Sequence, residues 1–184
     1  MKSLLLGLIV LASASFASAG VSVVADTPVV AESTDVSFTL RHIRDDGARV
    51  YYAADVVERA AERILETLGA TDIHVRVRGG VGVGEVTPFS RIRARFTRPV
   101  ETSGPTELLG SFQEVDFVGR NSRLGSFGNG MDCHLFKELF RVIKTKFTIR
   151  SLQESYRCHS SFGRFDVRGV VLAFADSGDL DSLQ

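Results

Sequence analysis

Two stretches of strict alternation limit what this chain can become. Residues 72–78 read DIHVRVR and residues 89–98 read FSRIRARFTR. Side chains along a strand point to opposite faces in turn, so apolar-polar alternation describes a strand with one buried side and one wet side. The intervening stretch 79–86, GGVGVGEV, reads as a glycine-rich hairpin connection. If the two strands pair with their apolar sides together, Ile73, Val75 and Val77 join Ile92, Ala94 and Phe96 on one face. The other face then carries His74, Arg76, Arg78, Arg91, Arg93 and Arg95. Like charges placed opposite each other destabilise a sheet. Water and salt, acidic neighbours or a ligand must offset that cost.

The remaining sequence repeats a strand-helix-strand-strand order. Residues 36–43 (VSFTLRHI) alternate as a strand, and Asp45, Asp46 and Gly47 signal a turn. Between Tyr51 and Leu68 the period becomes helical, with Val57, Ala61, Ile64 and Leu68 forming one apolar stripe and Gly69 placed to end the helix. In the second half, residues 112–118 suit a strand and Gly119 to Gly130 a glycine-rich loop. Asp132 is a candidate N-cap for a helix striped by Leu135, Phe136, Leu139, Phe140 and Ile143. Strands are expected at 146–152 and 162–175, with Cys158 in the loop between them. The halves align at an offset of 73 to 74 residues, matching Leu65 with Leu139, Arg76 with Arg150, Phe89 with Phe162 and Arg91 with Arg164. The expected architecture is α+β: two tandem βαββ units, 36–100 and 101–175, in a two-layer sandwich with the helices on one face of antiparallel sheet. Alternation alone does not say whether the units share one sheet. Residues 20–35 are expected to be a flexible N-terminal segment, and 176–184 a mobile acidic tail carrying Asp176, Asp179 and Asp181.

Residues 1–19 have the form of a secretory signal peptide. Lys2 supplies the positive end, Leu4 to Leu11 the apolar run, and Ala17, Ser18 and Ala19 the small-residue cleavage pattern. The expectation is an exported chain, periplasmic or secreted, that starts at Gly20. No later stretch is long and apolar enough for a transmembrane segment. Export places the only two cysteines, Cys133 and Cys158, in an oxidising compartment, where a pair is expected to bond. The 184 residues carry zero formal net charge, which excludes a protein that holds polyanions by overall charge. The kind of cation is more informative. Of 22 basic residues only 4 are Lys, and the guanidinium fork suits carboxylates and phosphates.

The leading functional expectation is therefore a non-enzymatic binding protein for an anionic glycan or an acidic protein surface. Its anion-binding residues would be His74, Arg76, Arg78, Arg91, Arg93 and Arg95, extended by Arg150, Arg164 and Arg168, with Asp166 as an internal counter-charge. Few aromatics are available for base stacking, so nucleic acid is not expected. The competing description is an ordinary solvated face whose arginines pair with Glu85, Glu101 or the acidic tail. A second possibility is a small enzyme using Cys133, His134, Cys158 and His159, with a thiolate favoured at a helix N-terminus and a neighbouring histidine as base. Zinc fits that quartet poorly. Neighbours on a helix project about 100° apart, and zinc modules space their ligands more widely. No metal or cofactor is expected. A third possibility is a self-associating homo-oligomer, in which the acidic row Asp55, Glu58, Glu62 and Glu66 of the first helix meets the arginine face of a second copy. His42 and His74, both in expected strands, are read as ordinary outward or edge residues.

Overall fold

The structure, a computed structural model, describes residues 26–43, 47–82, 85–120, 132–158 and 163–175. The signal-like segment 1–19, most of the glycine-rich loop before Asp132, and the tail 176–184 lie outside the described residues. In chain order the elements are β1 (Thr27–Arg41), α1 (Ala54–Thr67), β2 (Thr71–Gly82), β3 (Glu85–Glu101), β4 (Leu109–Arg120), α2 (Cys133–Ile143), β5 (Ile149–Cys158) and β6 (Gly163–Phe174). The six strands form one antiparallel sheet in the order β2-β3-β1-β4-β6-β5. β1 runs beside β3 from Val29 to Arg41 but meets β4 only where Thr27 pairs with Gly110 and Pro28 with Leu109.

Both helices pack on the same side of this sheet. Val36, Leu40, Ile92, Ala94 and Phe96 of β1 and β3 share one buried cluster with Val115, Phe117, Phe165, Val167 and Val171 of β4 and β6. Into that cluster α1 sends Val57, Ala61, Ile64 and Leu65, and α2 sends Leu135, Phe136, Leu139, Phe140 and Ile143. The stripes read from sequence are thus the buried faces, and the fold is a two-layer α+β arrangement. Aromatic rings fill its centre. Phe136 stacks on Phe165 with centroids 4.0 Å apart, and on Phe140 at 5.2 Å.

Local chemistry sets the helix ends. Gly69 has φ +81°, its N–H reaches the Glu66 carbonyl and the Ala70 N–H reaches that of Leu65. Positive φ at a helix terminus suits glycine, and a Cβ here would also sit 2.7 Å from Ala173 Cβ. Asp132 caps α2 by accepting from the Leu135 N–H at 2.7 Å. A disulfide between Cys133 and Cys158, with Cα atoms 5.4 Å apart, ties the start of α2 to the end of β5.

Four boundaries differ from the sequence expectation, one of them that of β4, which runs from Leu109 to Arg120 and takes in Gly119, expected to start the loop. β1 begins at Thr27, so the latter part of the segment 20–35, expected to be flexible, is strand. Its run VAESTD lacks apolar alternation, and backbone pairing with the end of β3 holds it instead. The glycine-rich stretch 79–86 is largely strand as well: β2 continues to Gly82 and β3 starts at Glu85, with an irregularity between Gly79 and Val81. Lys144–Lys146 form a 3-10 turn after α2, which delays β5 to Ile149 and places Cys158 on the strand.

Two stability measurements test this account. Phe136→Ala removes the ring at the centre of the stack and is expected to cost about 3–5 kcal/mol in urea denaturation. Replacing both cysteines with serine releases a loop of sequence separation 25, for which chain entropy gives a loss of about 3 kcal/mol.

Candidate functional site

With both helices on one face, the other face of β2, β3 and β1 is left to solvent. Register lines its charges into rows. His74 stands opposite Arg95, Arg76 opposite Arg93, and Arg78 opposite Arg91. β1 extends the rows, setting Asp35 beside Arg95, Ser37 beside Arg93 and Thr39 beside Arg91. All six of the basic side chains are exposed. Adjacent strands lie about 5 Å apart and alternate residues about 7 Å apart along a strand. The result is a compact grid of guanidinium groups on a rigid support.

Only one corner of the grid is neutralised by a described carboxylate. Arg95 makes a two-pronged contact with Asp35, Nε to Oδ1 at 3.0 Å and Nη2 to Oδ2 at 3.4 Å. Among the described residues no carboxylate forms an ion pair with Arg76, Arg78, Arg91 or Arg93. The Glu85 side chain and the acidic tail, weighed above as partners, fall outside the described residues. Arg41, overlooked in the sequence, extends the cationic face at the end of β1, where it pairs across to Phe89.

The three arginines expected from the second half occupy the same side of the sheet in a different electrostatic setting. Arg168 lies 3.2 Å from Asp166 and 3.9 Å from Asp116, and Arg164 lies 3.8 Å from Asp166. Arg150 spreads over the Phe112 ring, 3.4 Å from its centroid. It thereby roofs a small apolar cluster of Val29, Phe112 and Leu172 on the face away from the helices. Arg164 stands opposite two arginines, Arg157 on β5 and Arg120 on β4, both of which the constant-offset alignment passes over. An irregularity in β5 between Ile149 and Ser151 displaces Arg150 from a regular row. Beside these groups runs an open depression of about 470 Å³, lined by Glu114, Asp116, Ser151, Gln153, Arg168 and Val170. Its charges are mixed and largely matched among themselves.

The cysteine-histidine quartet is arranged for structure. Both thiols are consumed in the disulfide, leaving no thiolate for nucleophilic attack in this state. His159 is outside the described residues. Among the described residues, no three His, Cys, Asp or Glu side chains converge as a metal site requires. Part of the acidic row on α1 is also engaged within the chain. Asp55 pairs with Arg59 at 2.9 Å, and Glu58 Oε1 accepts from the backbone N–H of Val77 at 2.8 Å.

His42 departs from expectation. It is fully buried, its Nε2 lies 2.9 Å from Ser90 Oγ, and its ring meets Tyr51 and Tyr52 edge-on. Ser90 is itself inaccessible, so the pair has no route to a substrate and serves as packing. The signal was in the alternation: His42 follows Val36, Phe38 and Leu40 at even spacing, and Ser90 precedes Ile92 and Ala94. Comparison with protein-family models, curated proteins and solved structures gives no match for this chain.

Burial holds the His42 imidazole below its ordinary pKa. As pH falls, the unfolded chain takes up this proton first, near the ordinary value of about 6.5. Stability from this site is therefore complete above that value and is lost as pH drops through it toward the depressed folded value. Denaturation midpoints between about pH 7 and pH 5 should slope downward in the parent, and His42→Gln should flatten that slope.

Proposed function

We propose that this chain is an exported binding protein that holds an anionic partner on the outer face of β2 and β3. The observation carrying this reading is the direct opposition of Arg76 to Arg93 and of Arg78 to Arg91, none of which forms an ion pair with a described carboxylate. A sheet that places like charges in register loses stability, and an anionic ligand returns it by charge-assisted hydrogen bonds to the guanidinium forks. The matched charges of Arg164 and Arg168 make the second half a weaker contributor. Export is proposed from the charged, apolar and small-residue succession at the N-terminus, and a disulfide is compatible with it.

We also propose that the fold arose from two tandem βαββ units. The order β2-β3-β1 on one side of the sheet and β5-β6-β4 on the other supports this, as does the place of each helix after β1 and β4. In this view the two unit faces differ in how far described carboxylates compensate their arginines, less on β2 and β3 than on β6.

The test is binding of the parent and two variants to dextran sulfate, a soluble polyanion. Exposed charge contacts contribute about 0.5 kcal/mol each, so R76S/R78S/R91S/R93S should weaken binding by about thirtyfold. R164S/R168S should weaken it less, and salt should weaken it in the parent. Unchanged affinity in the fourfold variant would overturn the assignment of this face.

A further inference from the structure

We infer that the anionic partner is the surface of a phospholipid bilayer, met by the β2–β3 face with the exposed apolar residues Val81, Val86 and Phe89 entering the headgroup zone. This rests on the proposed anion-binding face and names its partner. Nine large hydrophobic residues are prominently exposed among the described residues, and five of them, Ile43, Tyr51, Val81, Val86 and Phe89, gather at this one end, each 38% to 59% exposed. Their gathering follows from named contacts. Val81 pairs with Val86 across the hairpin, and its N–H donates to the Tyr52 carbonyl at 3.0 Å. Tyr51 packs against His42, whose own N–H donates to the Pro88 carbonyl. Phe89 lies on the cationic face, two residues before Arg91 on the strand and opposite Arg41.

The apolar end is built firmly. Gly80, at φ +86°, is buried where a Cβ would lie 2.5 Å from the Tyr52 carbonyl oxygen and 2.9 Å from Ser90 Oγ. The His42–Ser90 pair sits directly beneath. A fixed apolar rim beside a fixed cationic grid has a specific counterpart. An anionic bilayer presents phosphates in a plane, with the glycerol and upper acyl region just below. Arginines reach the phosphates, while valine and phenylalanine leave water and tyrosine keeps its hydroxyl at the boundary. A soluble glycan answers the arginines and gives the apolar rim no role.

The experiment uses the chain from Gly20 with vesicles of phosphatidylcholine, with and without phosphatidylglycerol, and with dextran sulfate in parallel. The parent should sediment with the anionic vesicles and stay in solution with phosphatidylcholine alone. V86S/F89S, both on the surface, should keep the parent's melting temperature and its dextran sulfate affinity while losing about tenfold or more in vesicle affinity, a difference of about 1.4 kcal/mol. The chain contains no tryptophan, so Phe89→Trp provides a single tryptophan whose selectively excited emission is expected to shift to the blue with anionic vesicles and not with dextran sulfate. Dextran sulfate binding without vesicle binding overturns the bilayer and leaves the anion-binding face in place. Vesicle binding that V86S/F89S does not weaken, or an unshifted Phe89→Trp spectrum, overturns the inserted end. Binding to neither probe overturns both readings.

Discussion

The shared core under α1 and α2 decides what the rest of the molecule can present. Phe136, Phe140, Ile64 and Leu65 bury against one side of the sheet, and a helix layer cannot cover both faces at once. The middle of the opposite face, at 35, 37 and 39 of β1, 74, 76 and 78 of β2, and 91, 93 and 95 of β3, is thereby left to water, whereas Val29 at one end of β1 is buried with Phe112 and Leu172. Burying those apolar groups is worth of the order of 1.5–3 kcal/mol per large side chain, far above the repulsion between exposed arginines. The core therefore tolerates a charge arrangement that the strands alone would avoid.

The two sides of the sheet handle their arginines differently although their strand order is similar. On β6, Asp166 sits between Arg164 and Arg168 and balances both. The corresponding space on β3 is filled by Arg93, between Arg91 and Arg95, so the charge accumulates. Among the described carboxylates, Asp35, reaching across from β1, is the one that pairs within the grid. Aromatic stacking removes Arg150 in another way, by using its guanidinium as a roof over Phe112. Arginine content alone is thus a poor guide to an anion site, because ion pairing and cation–π packing absorb it locally.

Period-two and period-3.6 patterns made the hairpin faces, both helix stripes, the Asp132 cap and the Gly69 stop legible in the sequence. These are local properties, set by side chains a few residues apart. The start of β1 was not legible, because VAESTD has no apolar rhythm and is held by a strand some 60 residues away in the chain. The same distance effect hid the partner of His42, since Ser90 arrives on β3, although the alternation of Val36, Phe38 and Leu40 already pointed His42 inward. The constant-offset alignment also gave no sign of Arg157, because the irregularity between Ile149 and Ser151 shifts the side-chain phase along β5. Arg157, not Arg150, stands opposite Arg164.

The carboxylate of Glu58 on the Val77 N–H bears on more than the helix that carries it. A sheet with two open sides invites another strand to add, and repeated addition leads to fibres. On β2 that invitation is withdrawn: one donor is already occupied by Glu58, and the side chains of Arg76 and Arg78 are cationic. On β5 the irregular stretch around Arg150 breaks the straight template, and Glu154 and Arg157 add charge. Both margins thus oppose growth by strand addition, so the six-stranded sheet stays finite.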